Sequence, residues 1–160
     1  PVVAAIYGPC VGGALELACC CDLRISARSG KFGVPINKIS VVMAYPELAT
    51  IRRVIGPAAT LEILLEGRVF DADEALAKRL VNRVVEDSEM EAEIAATAKR
   101  ISAGAPLANR WHKAFIRRLD DPAAISESEL DECYRFLATS DYAEGLAAFR
   151  AKRKPNFTAK

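Results

Sequence analysis

The 160-residue chain has a single histidine, His112. One imidazole excludes a metal centre built on several histidines, and no Ser or Asp arrangement around His112 suggests a catalytic triad. Its place after Trp111 in a helical pattern makes it a surface or core histidine. Charge of one sign is missing too. The 22 Lys and Arg against 21 Asp and Glu leave a formal net charge of +1, which excludes a nucleic-acid footprint and an acidic partner surface. The longest apolar stretches are too short and too interrupted to span a bilayer, so no membrane partner is expected. Spaced cysteine pairs are also absent. Cys19, Cys20 and Cys21 are consecutive on a predicted helix, where side chains fan out by about 100° per residue and cannot converge on one metal; they read as core filling. An odd total of five cysteines fits a reduced, cytoplasmic setting. No repeat, low-complexity tract or ligand-type cluster is visible, and no metal or redox cofactor is expected.

What is present is an apolar content of 51% with 27% charged residues, enough for one domain with a sizeable core. The most informative stretch is Gly8-Pro9-Cys10-Val11-Gly12-Gly13-Ala14-Leu15-Glu16. It lies between a buried-strand pattern, Val2 to Ile6, and an apolar helix opening at Leu15-Glu16-Leu17-Ala18. Gly12 and Gly13 thus sit at a helix N-terminus, where unpaired N–H groups and the dipole favour an anion or a developing oxyanion. Glu16 lies one turn further on, on the face of the glycine turn, as a candidate acid or base. The same pattern also describes an ordinary tight connection.

Past this motif the chain reads as helical, with apolar residues at three- and four-residue spacing over 58–66, 72–80, 89–101, 106–119, 127–138 and 142–153. Asp71 with Glu74, Ser126 with Glu129 and Asp141 with Glu144 have the spacing of capping boxes, and Pro106 suits a first helical turn. The organisation is therefore expected to be two-part: an α/β segment over 1–67 and a helical segment over 68–160.

The stretch Pro1 to Asp22, PVVAAIYGPCVGGALELACCCD, resembles the enoyl-CoA hydratase/isomerase (crotonase) family. Several further pieces follow in the family's order: Asp22 to Ala27, Lys31-Phe32-Gly33-Val34-Pro35, Leu61 to Arg68, Asp73-Glu74-Ala75, Leu80 to Val85, and the tail from Asp141 through Phe157. The resemblance implies the end of a ββα spiral core over 1–67, followed by C-terminal helices over 68–160 that pack trimers or hexamers. It aligns Pro1 with the middle of a typical member, so the chain is expected to be a C-terminal portion. The part before it would supply the other oxyanion N–H and most of the pocket for the coenzyme A adenine and pantetheine.

The resemblance implies an acyl-CoA substrate, with Glu16 as acid/base and the Gly13 backbone N–H as one half of an oxyanion hole. Gly12 and Cys10 would line the pocket, and Phe149 and Lys152 on the last helix would contact coenzyme A. Two departures bear on the reaction. Hydratases of the family carry a second glutamate just after the Phe-Gly-x-Pro strand, and Ile36 stands there. The family's glycine-rich loop is replaced by Val42-Met43-Ala44-Tyr45-Pro46-Glu47-Leu48, which makes Tyr45 and Glu47 candidates to enter the pocket. The expectation is an enoyl-CoA hydratase/isomerase-like enzyme with a single acid/base. A decarboxylase or hydrolase, a non-catalytic coenzyme A-binding or assembly subunit, and a purely structural remnant stand as alternatives.

Overall fold

The computed structural model describes residues 1–160. The run Val3–Ile6 forms β1, as its apolar pattern predicts, and it pairs in parallel with β3 (Leu23–Ala27), which pairs in parallel with β6 (Arg83–Val85). Val3 sits opposite Leu23, and Ile25 opposite Arg83. Parallel neighbours need a crossover, and α1 (Gly13–Cys20) lies within the one between β1 and β3. Inside the predicted turn the chain makes another strand. Gly8 at φ 60° redirects it into β2 (Pro9–Val11), which pairs in parallel with β4 (Lys31–Gly33) and puts Cys10 opposite Phe32. β5 (Phe70–Asp71) pairs with β4 in the antiparallel sense.

After β4 comes a 3₁₀ turn, Pro35–Ile39, and then α2 (Tyr45–Glu66). The sequence pattern begins this helix only at Ala58. The structure begins it at Tyr45 and breaks it at Gly56, whose φ of 75° is open to glycine, just before Pro57, which has no N–H to donate. Helix α3 (Ala72–Ala77) starts as predicted, with Asp71 accepting a hydrogen bond from the Glu74 N–H at 2.9 Å. It ends earlier than expected: Arg79 turns to φ 61°, so that Leu80 and Val81 drop into the core. Leu15, Phe32, Ile51 and Leu80 are buried in one apolar cluster, with the Phe32 and Phe70 rings 6.2 Å apart.

Residues Val2–Thr97 make up one compact unit and Ala98–Lys160 the other. The division expected at Gly67 does not coincide with this packing, because β5 and β6 pair into the sheets of the first unit.

Arg24 is a buried cation in the first unit. Its Nε donates to the Leu80 carbonyl at 2.7 Å and its Nη1 to that of Cys21 at 2.8 Å, while its backbone N–H donates to the Asn82 side chain. It ties the loop after α3 to the end of α1. Arg24→Met leaves those carbonyls without a donor and is expected to destabilise the unit by about 3 kcal/mol, read as a lower denaturant midpoint at unchanged slope.

The second unit begins within α4 (Met90–Ser102) and contains its last turn, then α5 (Pro106–Arg118), α6 (Glu127–Glu132), a 3₁₀ turn over Arg135–Ala138, and α7 (Ser140–Arg150). Ser126 and Glu129 form the predicted capping box. Asp141 does not cap α7. Thr139 takes that place, accepting from the Tyr142 N–H, and Asp141 is buried, accepting from the N–H groups of Thr158 and Ala159 at 2.7 and 3.0 Å. Glu144 holds the same tail through Arg153 and the Asn156 N–H, at 2.6 to 2.7 Å.

Those bonds favour the charged form of Glu144 and hold its carboxyl at about 2, well below the usual carboxylate range, with the Arg153 hydrogen bonds as the main cause. A depressed value means that the clamp's contribution is fully present above the ordinary carboxylate range. It is lost as pH falls through that range toward about 2. The Asn156 amide shift, followed by NMR on acidification, is expected to titrate near that value. Arg153→Met should raise its midpoint toward the ordinary carboxylate range.

Candidate active site

The site grows out of one backbone feature. Gly12 takes φ 60° and ψ −127°, a conformation open to glycine, and its N–H donates to the Gly33 carbonyl at 2.9 Å. This bond carries the β2 to β4 pairing one residue past the strand. The Gly12 carbonyl accepts from the N–H groups of Leu15 and Glu16 and starts α1. Gly13 then follows as the first helical residue, and its N–H has no acceptor in the protein. The space where a Cβ at Gly13 would stand is open. An N–H at the positive end of a helix, on an exposed residue and without an acceptor in the protein, is a donor available to an oxyanion.

Glu16 stands one turn along α1, held there because Leu15, Ala18 and Cys19 are buried. Its carboxylate is half-buried and takes no hydrogen bond or cation from the protein. This sets it apart from Glu62, Glu74, Glu93, Glu129 and Glu144, all of which are paired with Arg or Lys. Burial pushes the Glu16 carboxyl above its ordinary value, and the negative charge of Glu47 adds to the rise.

Glu47 lies in the first turn of α2, which packs on α1. One of its oxygens accepts from the Ala44 N–H at 2.7 Å and closes the helix start. The sequence did carry a signal for it, since Pro46 followed by Glu47 suits the first turn of a helix.

The other expected residues fall in different surroundings. Tyr45, the first residue of α2, is 89% exposed and makes no hydrogen bond. Ile36 packs against the core cluster. Cys10 is buried in the wall of an open apolar groove of about 300 Å³ along β1, β2 and α1, with Ala14, Leu17 and Cys21 on the helical side. Around α1 these positions are turned from Glu16 by about 100° at Leu17 and about 140° to 160° at Cys21 and Ala14, so the groove lies away from that carboxylate. Burial pushes the Cys10 thiol up to about 11 and that of Cys19 up to about 12, which leaves both protonated and unreactive near neutrality. In the second unit Phe149 is 82% exposed, outside the core, and Lys152 follows α7 with φ 52°. His112 is exposed on α5. No group of three or more His, Cys, Asp or Glu side chains is placed to hold a metal ion, and no helix is long and apolar enough to cross a membrane.

The family model described as enoyl-CoA hydratase/isomerase matches residues 1–160. Crotonyl-CoA hydratase of Syntrophomonas wolfei is 36% identical over all of this chain, which covers 62% of that protein. The crystal structure of an enoyl-CoA hydratase/carnithine racemase from Magnetospirillum magneticum superposes with a TM-score of 0.98 at 84% identity, over all of this chain and 60% of that one. An enoyl-CoA hydratase from Bacillus anthracis gives 0.93 at 30% identity, covering all of this chain and 63% of that one. The chain thus spans about 60% of the length of the relatives it matches.

Proposed function

The chain belongs to the enoyl-CoA hydratase/isomerase family, and from that premise we propose that it is the part of an acyl-CoA enzyme that carries the acid/base Glu16 and the oxyanion donor Gly13. The observation that carries the reading is the Glu16 carboxylate, half-buried without a partner, one helical turn from an N–H that the protein leaves unused. A carboxyl raised by burial exchanges protons nearer to neutral pH. An N–H at a helix start stabilises negative charge that develops on a thioester oxygen.

One carboxyl can serve both halves of a hydration. As the oxygen of water adds to the β-carbon, charge moves onto the thioester oxygen at Gly13 and the water proton goes to Glu16. The enolate then takes that proton at its α-carbon and the thioester carbonyl re-forms. The same pair serves double-bond migration when Glu16 takes a proton from one carbon and returns it to another. Neither course needs a metal or redox cofactor, and coenzyme A enters only as part of the substrate.

Gly12 and Cys10 would shape the wall beside the oxyanion donor, and Tyr45 would close over bound substrate. Phe149 and Lys152 would contact the coenzyme A moiety, offered to a neighbouring copy in a trimer or hexamer packed through the C-terminal helices. The unpaired cysteine spacing supports a cytoplasmic setting. Ile36 supports a second reading, in which the enolate is used for decarboxylation or hydrolysis, or the thioester is only bound, because no second glutamate stands at that position.

The test uses the full-length protein in three assays: hydration of crotonyl-CoA, isomerisation of a 3-enoyl-CoA, and deuterium exchange from solvent at the α-carbon of butyryl-CoA. Exchange is expected, since it reads enolate formation alone. Hydration or isomerisation beside it supports the first reading, exchange with neither selects decarboxylation or hydrolysis, and absence of all three overturns enzyme function and leaves only thioester binding.

A further inference from the structure

Helix α7 is closed by a residue held against its backbone preference. Lys152 takes φ 52°, the left-handed conformation that ends many helices and that glycine adopts freely while a side chain resists it. Two backbone bonds complete the turn: the Lys152 N–H donates to the Phe149 carbonyl at 3.2 Å, and the Arg153 N–H to that of buried Ala148 at 3.0 Å. Arg79 closes α3 in the same way, and there the turn drops Leu80 and Val81 into the core. No such burial follows Lys152, because Arg153, Lys154, Pro155 and Asn156 are all exposed.

Ionic contacts hold this turn instead. Arg153 brings its Nη1 and Nη2 to 2.6 and 2.7 Å from the two Glu144 oxygens, and the Asn156 N–H donates to the same carboxylate at 2.7 Å. Asp141 takes the N–H groups of Thr158 and Ala159, and the Phe157 ring lies against Gly145, 3.5 Å from where a Cβ would stand. The tail is thus bound back along α7. Lys152 itself is exposed, and its ammonium has no partner in the protein. Backbone strain that no burial offsets marks a side chain whose placement matters.

We propose that Glu144 is a positioning residue for coenzyme A. Through Arg153 it fixes the turn at Lys152, so that the Lys152 ammonium and the Phe149 ring meet the phosphate and adenine groups as a preorganised pair. The inference rests on the reading of Phe149 and Lys152 as coenzyme A contacts given above.

Charge alone gives the opposite sign. Glu144→Gln removes a negative charge and frees the Arg153 guanidinium, and both changes strengthen the attraction of a phosphate. A loss of affinity in this variant therefore reports geometry.

Calorimetry on the full-length protein measures binding of butyryl-CoA and of butyryl-pantetheine, which lacks the adenine nucleotide. Lys152→Met is expected to weaken butyryl-CoA by about fivefold, the upper range for an exposed ion pair, and Glu144→Gln by about two- to fivefold, with butyryl-pantetheine unchanged in both. The double variant should bind butyryl-CoA no more weakly than Lys152→Met alone, since Glu144 has nothing to place once the lysine is gone.

Native or tighter binding in Glu144→Gln overturns the positioning role, as does a loss that adds in full to that of Lys152→Met or extends equally to butyryl-pantetheine. Native affinity in Lys152→Met, or no binding of butyryl-CoA to the native protein, overturns the coenzyme A contact itself. Should Glu144→Gln fail to fold, Arg153→Met takes its place. A loss caused only by the missing charge of Arg153 persists beside Lys152→Met and counts against the proposal, whereas a loss of positioning vanishes there.

Discussion

Glu16→Gln is expected to lower turnover of acyl-CoA by roughly 10²- to 10⁴-fold, the range that removing a positioned general acid/base commonly costs. The KM should change little, because an uncharged amide of the same shape leaves the ground-state contacts in place. Stability is the sharper control. The Glu16 side chain makes no hydrogen bond and no ion pair with the protein, so its loss of charge removes no folded-state partner. It also relieves the burial cost that raises its carboxyl value, so the thermal midpoint should hold or rise slightly. A structural glutamate behaves in the opposite way: Glu144→Gln releases Arg153 and should destabilise the tail without reference to turnover. Turnover that survives Glu16→Gln would remove Glu16 from the chemistry and leave Gly13 as an anion-binding position only.

Glu16 and Gly13 were legible because both belong to one local pattern. A strand, two glycines and a helix opening place a donor and a carboxylate one turn apart whatever the rest of the chain does. The caps at Asp71 and Ser126 were readable for the same reason, since their partners lie three residues away. Local spacing misled at Asp141, where Thr139, two residues earlier, took the cap and freed the aspartate to bind the tail from Thr158 to Ala159. It misled again at the start of α2. Gly56-Pro57 reads as a boundary and masked the pattern before it, in which Leu48, Ile51, Val54 and Ile55 recur at three- and four-residue spacing and pack on the core. The influence of Glu47 on Glu16 lay outside any local pattern, because it depends on how α1 packs against α2.

Gly13→Pro is the second large effect, and it isolates a single atom. Gly13 is the first helical residue, where proline's fixed φ suits the helix and its missing N–H belongs to no intrahelical bond. The Gly13 N–H bonds nothing in the protein, and open space surrounds the position. A residue before proline is normally confined to extended backbone, but Gly12 at φ 60° and ψ −127° occupies the mirror image of that region, which glycine reaches without penalty. The fold should therefore accept the substitution with little change in thermal midpoint, while the oxyanion loses a donor. Removal of one such donor costs roughly 10²- to 10³-fold in kcat, and the loss should appear in deuterium exchange as strongly as in hydration, since both pass through the enolate. Gly13→Ala keeps the N–H and fills only open space, so it should retain turnover well above that of the proline variant. Equal losses in the two variants would assign the effect to bulk at the helix start and take the Gly13 N–H out of the mechanism. A loss confined to proline leaves hydrogen bonding as its cause.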